Sequence, residues 1–160
     1  MLVADANIWI DLDAAGLVSP ESFIPLGLET TDFVIHELKH NSLGSRLKSL
    51  GVVAHSISPE QIAQVYSFRQ RSARSSVPDY STLVVAIDSG AVLVTGDSHL
   101  QGVAEAAGLE VHGVLWVIER LVALGALEPT VAIDAIEDMI AAGARLPAKE
   151  VAETISRCKG

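Results

Sequence analysis

Four acidic side chains lie at places in the sequence where a strand ends or a helix begins. Asp5 ends a short apolar strand, and Asp97 follows the apolar run AVLVT by one glycine. Glu37 lies in the second turn of a predicted helix that Asp32 caps, and Asp79 lies in the first turn of another. Clustered carboxylates raise each other's pKa unless a cation neutralises them, and Mg²⁺ and Mn²⁺ prefer oxygen ligands. The four positions favour a site that activates water and clamps a phosphodiester oxygen, with one metal ion or two.

Each of these acids also has an ordinary structural explanation when it is taken alone. Asp79 can cap a helix, Asp5 can lie in a turn, and Glu37 can be a solvated helix residue. The directions in which side chains of the Asp79 helix point can be predicted, because a helix turns by about 100° per residue. Leu83 then shares the face of Asp79, whereas Asp88 points to the opposite side. We therefore expect Asp79 to face inward and Asp88 to face water.

Alternating strands and helices must position these acids. Short apolar runs predict five strands, at about residues 2–4, 26–31, 51–57, 91–95 and 109–112. Helices are expected between most strands, one from about Ile8 and another behind the capping box at 58–61, and the chain turns helical from Val114 onward. This pattern indicates an α/β fold with a mostly parallel sheet, helices on both faces and a helical C-terminal tail. The ligand site of such a fold lies outside the carboxyl ends of its strands, where Asp5 and Asp97 fall.

The composition limits the class of protein. The chain has 160 residues, 49% of them apolar and 19% charged, which predicts one domain over residues 1–160 with a sizeable core. No apolar run reaches the about 20 residues of a transmembrane helix, and the acidic start lacks the basic region of a signal peptide. Cys158 is the only cysteine, which excludes a disulfide framework and a cysteine-ligated zinc site. These features predict a soluble, cytoplasmic protein with no membrane partner.

The charge is distributed unevenly along the chain. The net charge is −9, but residues 38–78 hold six bases and one acid, a charge of +5, so the remainder carries −14. The bases of this stretch are Lys39, Arg46, Lys48, Arg69, Arg71 and Arg74. The stretch is either a solvated surface or a contact for a polyanion.

Four blocks of the sequence, in their order and spacing, resemble the PIN domain family. The run DYSTLVVAIDSGAVLVTGDSHL (79–100) is similar to the family signature, in which an aspartate opens an apolar helix and a strand leads to Thr-x-Asp. VADANIWIDL (3–12) resembles the first strand with its Asp-x-Asn, and TTDFVIHEL (30–38) resembles the block with the glutamate. GLEVHGVLWVIERLVALGAL (108–127) resembles the strand and helix after the site in a bacterial subgroup. The resemblance covers a core of about 2–127 and leaves about 128–160 as a helical extension.

This resemblance implies an activity and an active site. PIN domains are Mg²⁺- or Mn²⁺-dependent ribonucleases, and many small bacterial and archaeal members are VapC-type toxins that are dimeric and paired with an antitoxin. We therefore expect an RNA substrate, a cognate antitoxin protein and a homodimer. The implied catalytic residues and metal ligands form an acidic tetrad: Asp5, Glu37, Asp79 and Asp97.

Further residues are expected to support the tetrad or to contact RNA. The resemblance implies supporting hydrogen bonds from Asn7 and Thr95. Ser98, followed by His99, stands where some members carry another acid or an asparagine, so the number of metal ions stays open. Phosphates approaching an acidic site need bases on its rim. The bases expected to contact RNA are Lys39, Arg71 and Arg74, the alternative being a plain solvated face.

Three alternatives remain at this point. Residues 36–40 read H-E-x-x-H, the zinc protease pattern, with both histidines as ligands and Glu37 as general base. This alternative lacks a third ligand and leaves three acids unexplained. Residues 11–13 read Asp-x-Asp, as in haloacid-dehalogenase-like phosphatases, but on a predicted helix. A non-catalytic PIN-like binding module is the third alternative, and the loss of metal binding would distinguish it. Trp9 and Trp116 are predicted to be core residues, and His112 and Cys158 to be structural.

Overall fold

The computed structural model describes residues 1–160, and its centre is a sheet of five short parallel strands. The strands are β1 (Leu2–Ala4), β2 (Leu28–Thr31), β3 (Ala54–His55), β4 (Val92–Val94) and β5 (Val111–His112). Their order across the sheet is β3–β2–β1–β4–β5. The chain thus builds outward from β1 on one side and outward from β4 on the other, so the order reverses between β1 and β4. In open parallel sheets the ligand site lies at this reversal, outside the carboxyl ends of the strands.

Helices cover both faces of the sheet, which confirms the predicted α/β fold. None of them is long and apolar enough to cross a membrane. The helices are α1 (Ala6–Ala14), α2 (Pro20–Leu26), α3 (Asp32–Glu37), α4 (Leu43–Ser49), α5 (Pro59–Arg71), α6 (Val77–Ser89), α7 (Ser98–Ala106), α8 (Val114–Ala123), α9 (Pro129–Ala141) and α10 (Ala148–Lys159), with a 3-10 turn at His40–Ser42.

Alternate residues of the central strands point into two separate apolar cores, because successive side chains of a strand lie on opposite faces. Val3 of β1 and Leu93 of β4 belong to the core formed with α5, α6 and α7. Leu2, Ala4 and Val94 belong to the larger core, which α1, α2, α8 and α9 complete. The central strands are therefore buried on both faces of the sheet.

The three C-terminal helices pack on the larger core. Ile136 and Met139 of α9 are fully buried there. Helix α10 lies against α8 and α9, and Glu119 of α8 accepts hydrogen bonds from Thr154 Oγ1 at 2.8 Å and from an Arg157 guanidinium N–H at 2.7 Å. The boundary expected near residues 127 and 128 stays a prediction.

Four strands are shorter in the structure than predicted: β2, β3, β4 (Val92–Val94 rather than 91–95) and β5 (Val111–His112 rather than 109–112). Residues before 28 were expected in β2, but Pro20–Leu26 forms α2, whose first turn holds a proline and whose end is Gly27 in the left-handed region at φ 64°. The third strand, expected at 51–57, is reduced to Ala54–His55. It lies at the edge of the sheet and pairs only with β2.

Two helix starts also differ from the prediction, because the capping residues differ. Helix α1 begins at Ala6 rather than at about Ile8, since the Asp5 carboxylate accepts a hydrogen bond from the Ile8 N–H and caps the helix. Helix α3 is capped by Thr31 rather than Asp32. In both cases the side chain just before the helix satisfies a free N–H of its first turn.

Other predictions for single side chains are confirmed, with one exception. Asp88 is exposed and accepts a hydrogen bond from Gln61 of the α5 capping box, as its angular position predicts. Trp9 is fully buried and Cys158 is buried. Trp116 is partly buried and packs against the larger core, so its prediction as a core residue is confirmed only in part. Its indole ring stacks on the imidazole of His112, with a centroid distance of 4.0 Å.

Candidate active site

Asp5 lies at the carboxyl end of β1 and is completely buried. Its Oδ1 accepts the Ile8 N–H at 3.1 Å, and the Thr95 hydroxyl donates to its Oδ2. The pKa of Asp5 is raised to about 7, mainly because burial disfavours the charged form; the two hydrogen bonds lower the pKa, and the charges of Asp79 and Asp97 add to the rise. A buried carboxyl with this pKa gains from a cation placed beside it.

Asp97 lies just beyond β4 and caps α7. Its Oδ1 accepts the backbone N–H groups of His99 at 2.9 Å and Leu100 at 3.2 Å, and its Oδ2 accepts the Ser75 hydroxyl at 2.9 Å. Its own N–H donates to Thr95 Oγ1 at 3.0 Å. The Thr95 hydroxyl therefore connects the backbone of Asp97 to the carboxylate of Asp5.

Asp79 lies in the first turn of α6 and forms a capping box with Ser76. The Ser76 N–H donates to Asp79 Oδ2 at 3.0 Å, and the Asp79 N–H donates to Ser76 Oγ at 3.1 Å. These bonds hold the aspartate in one orientation at the helix start. Its negative charge raises the pKa of both Asp5 and Glu37, which places it within electrostatic range of both.

Glu37 is the last residue of α3 and lies at the exposed rim of this region. Partial loss of solvation raises the pKa of its carboxyl, and the charge of Asp79 raises it further. The Thr31 hydroxyl, which caps α3, also forms a 2.7 Å hydrogen bond with the Ser81 hydroxyl of α6. This bond ties the helix of Glu37 to the helix of Asp79.

No basic side chain neutralises these four acids, since the ion pairs of the chain all lie elsewhere. The donor set consists of carboxylate oxygens, which suits Mg²⁺ or Mn²⁺. As the side chains are placed, no three Asp, Glu, His or Cys residues form a group that could hold a metal ion. Mg²⁺ usually keeps several waters and binds through one or two carboxylates, so the residues fit an ion held partly through water.

The other expected supporting residues lie beside the acids. Asn7 and Ser98 are exposed, and both line a cavity next to Thr95; neither side chain hydrogen-bonds to an acid. Ser75 was not expected from the sequence, yet it is nearly fully buried and donates to Asp97. The only local signal for Ser75 is its place directly before the capping residue Ser76.

The expected RNA-contacting bases are all exposed on the surface. Lys39 is exposed just after α3, close in sequence to Glu37. The Arg71 guanidinium lies 4.6 Å from the centroid of the Phe68 ring, and the exposed Arg74 borders a shallow depression with Ser98. All three expected bases are free of ion pairs.

The structure does not support the zinc protease pattern. His36 and Glu37 lie on α3, but the helix ends at Glu37 and His40 begins a separate 3-10 turn. The two histidines therefore do not lie one helical turn apart on the same face, as the pattern requires. The Asp-x-Asp at 11–13 lies within α1 rather than after a strand, and Asp13 pairs with Arg46 at 2.9 Å.

Comparison with known families agrees with the α/β topology. A family model described as a PIN domain matches residues 1–160. The chain belongs to the PIN domain family. PIN domains have a nuclease-type fold and are generally hydrolases of nucleic acid that use divalent metals. No curated protein and no solved structure matches the chain.

Proposed function

We propose that this PIN domain is a Mg²⁺- or Mn²⁺-dependent endoribonuclease that hydrolyses RNA phosphodiester bonds. The observation that carries the proposal is the burial of Asp5 at the strand-order reversal, beside Asp79 and Asp97, with no cation from the chain to balance it. An uncompensated buried charge is costly, so the folded protein gains when a cation binds there.

In this proposal, each site residue has a role in binding the metal or the RNA. Asp5 and Asp97 would be the central metal ligands, and Asp79 and Glu37 would bind a second ion, bind through water or orient the attacking water. Bound Mg²⁺ or Mn²⁺ supplies a water of lowered pKa and a positive charge beside the scissile phosphate. Thr95 fixes the Asp5 carboxylate through its hydroxyl, and Ser75 does the same for Asp97. Lys39, Arg71 and Arg74 would offset the repulsion between the acids and the RNA phosphates.

The finer biological role rests on the resemblance of the sequence blocks to VapC-type proteins. We propose that the nuclease is the toxin of a toxin–antitoxin pair, acts in the cytoplasm, forms a homodimer and binds a cognate antitoxin protein. Expression of the wild-type chain should then arrest bacterial growth, while the Asp97→Asn variant should not. Light scattering on the purified protein should give twice the mass of one chain.

The direct test is cleavage of labelled single-stranded RNA in EDTA, Mg²⁺, Mn²⁺ and Zn²⁺. Cleavage is expected with Mg²⁺ or Mn²⁺ only, and Asp5→Asn and Asp97→Asn should lose it while remaining folded. Asp88→Asn is the matched control, because Asp88 is exposed on the opposite face of α6 and should leave the rate unchanged. Full activity of either site variant would contradict the assignment.

Binding of Mn²⁺, measured by calorimetry, separates the enzyme from a non-catalytic PIN-like module. The enzyme should bind Mn²⁺, and Asp97→Asn should weaken that binding. A chain that neither binds Mn²⁺ nor cleaves any RNA tested would be a binding module instead.

A further inference from the structure

A cavity of about 830 Å³ opens beside the candidate active site. One wall consists of residues that adjoin the acids, namely Asn7, Thr95 and Ser98. The facing walls are formed by Trp116 on α8 and by the loop at 142–147, which connects α9 to α10. Its volume is within the range of about 300–1,000 Å³ that is usual for small-ligand sites. The cavity is large enough for a nucleotide and adjoins the place where a phosphodiester would be cut.

Asp11 is a half-buried acidic side chain of this cavity that the proposed cleavage chemistry does not use. It lies on α1 one helical turn after Asn7, and both residues line the cavity. Asp11 is half-buried, and its carboxylate forms no ion pair and no hydrogen bond within the chain. Loss of solvation raises its pKa. By contrast, the carboxylate of Asp13, two residues later on the same helix, is fully paired with Arg46.

Some of the other charged side chains of the cavity form ion pairs within the chain, and others do not. Glu119 and Arg157 neutralise each other at 2.7 Å and hold α10 in place. Arg145 lies on the connecting loop, is exposed and has no ion pair. Glu150 of α10 also lines the cavity, is exposed and has no ion pair or hydrogen bond within the chain. The free charged groups of the cavity are therefore the half-buried carboxylate of Asp11, the exposed carboxylate of Glu150 and the guanidinium of Arg145, and part of the Trp116 ring also lines it.

This combination matches a nucleotide of a particular kind. The Trp116 ring stacks on His112, and its centroid lies 5.8 Å from the Arg120 guanidinium, so its exposed part offers an apolar edge to a base. The guanidinium of Arg145 can bind the adjoining phosphate. A carboxylate accepts hydrogen bonds through both oxygens, so its best partner among the bases has two neighbouring N–H donors. Guanine has such a pair in its N1–H and N2–H₂ groups. Adenine and cytosine offer one amino group, and uracil flanks its single N–H with two carbonyls that a carboxylate repels.

We propose that this cavity binds one nucleotide of the substrate RNA and that Asp11 makes it selective for guanine. The inference rests on the proposed function, because it assigns a base-selective subsite to the same ribonuclease. Asp11 is a specificity residue here and takes no part in breaking the bond.

The test measures binding rather than cleavage. Fluorescein-labelled hexaribonucleotides UGUGUG and UIUIUI, where inosine lacks the N2 amino group, are titrated with the full-length protein in EDTA and again in Ca²⁺. The wild-type chain should bind the guanine oligonucleotide about tenfold more tightly than the inosine one, as expected for a hydrogen bond to a charged group. Asp11→Asn should abolish that ratio, and the folded chain tolerates the change because the carboxylate has no partner to lose. Asp13→Asn, on the same helix but outside the cavity, should retain it.

Two further readouts make the outcome unambiguous. Quenching of Trp116 fluorescence on binding, absent in Trp116→Phe, places the base in the cavity, since the other tryptophan, Trp9, is fully buried. Equal affinity of the wild-type chain for both oligonucleotides, a ratio that survives Asp11→Asn, or no binding of either would overturn the inference. Metal-dependent cleavage without preference for guanine would leave the ribonuclease intact and remove only this subsite. A guanine preference in binding without any cleavage would support this subsite and contradict the proposed ribonuclease activity.

Discussion

The burial of Asp5 makes the stability of the metal-free protein depend on pH. Its pKa rises from the ordinary 3.8 to about 7 on folding, so the folded chain holds a proton that the unfolded chain has lost between these values. The free energy of unfolding therefore falls as pH rises through this window, by on the order of 4 kcal/mol once Asp5 is fully ionised. Replacing Asp5 by a neutral residue should abolish this fall in the free energy of unfolding, and a divalent cation bound beside Asp5 should reduce it.

Urea denaturation in EDTA at about pH 5 and pH 8 measures this effect. The wild-type chain should be less stable at the higher pH, whereas Asp5→Asn should lose much less stability and should exceed the wild type there. Mg²⁺ should stabilise the wild-type chain at the higher pH and leave the variant almost unchanged. Parallel pH dependence of the two proteins would show that the Asp5 charge is balanced in some other way.

Thr95 is a positioning residue whose hydroxyl forms two hydrogen bonds in the site. It donates to Asp5 and accepts from the Asp97 N–H, so Thr95→Val breaks both bonds and leaves a buried carboxylate oxygen unpaired. We expect Mn²⁺ affinity and cleavage to fall by about 10- to 100-fold, as is usual when a group supporting a metal ligand is lost. Thr95→Ser keeps the hydroxyl and should recover most of both. If the serine variant is as impaired as valine, the methyl group rather than the hydrogen bonds matters.

At the scale of elements, the place of Glu37 depends on the close packing of α4 against α3. A Cβ at Gly44 would lie 2.3 Å from the Ile35 carbonyl oxygen and 3.0 Å from that of Leu38, and backbone atoms cannot easily yield. Gly44→Ala should therefore cost about 3 kcal/mol of unfolding free energy. It should also slow cleavage, because it displaces the end of the helix that carries Glu37.

Gly102→Ala is the matched control, measured by the same thermal unfolding and cleavage assays. Gly102 lies within α7, where an added Cβ meets no atom within 4 Å. This variant should be more stable than the wild type by about 0.5–1 kcal/mol, since alanine favours a helix. Equal effects of the two substitutions would refute the packing argument.

The elements also explain which features the sequence could indicate. Asp5, Asp79 and Asp97 fall at strand ends or helix starts, which periodicity and capping residues mark locally. The bond from Ser75 to Asp97 joins residues 22 apart and depends on how the loop before α6 returns to the sheet, so no local pattern indicates it. Likewise, the end of α3 at Glu37, which separates the two histidines of the protease pattern, is set by tertiary packing.

At the scale of the whole molecule, the charge balance limits how RNA is held. The net charge is −9, and only Lys39, Arg71, Arg74 and Arg145 are expected near the phosphates. Single-stranded RNA that contacts these four basic side chains should give a slope of about −3 for log affinity against log salt concentration. Anisotropy titrations in Ca²⁺ should show this shallow dependence, and Arg71→Ala should reduce the slope by about 0.7. A much steeper slope would mean that other bases bind the RNA.

The two edges of the sheet limit how this protein meets other chains. Strands β3 and β5 form these edges, and each is two residues long. A histidine on each edge pairs with a glutamate at 2.7 Å, His55 with Glu29 and His112 with Glu110. Short, charged edges offer too few backbone groups for another strand to add to the sheet and so guard against aggregation. We therefore expect a second copy or a partner protein to bind in some way other than by adding a strand to this sheet.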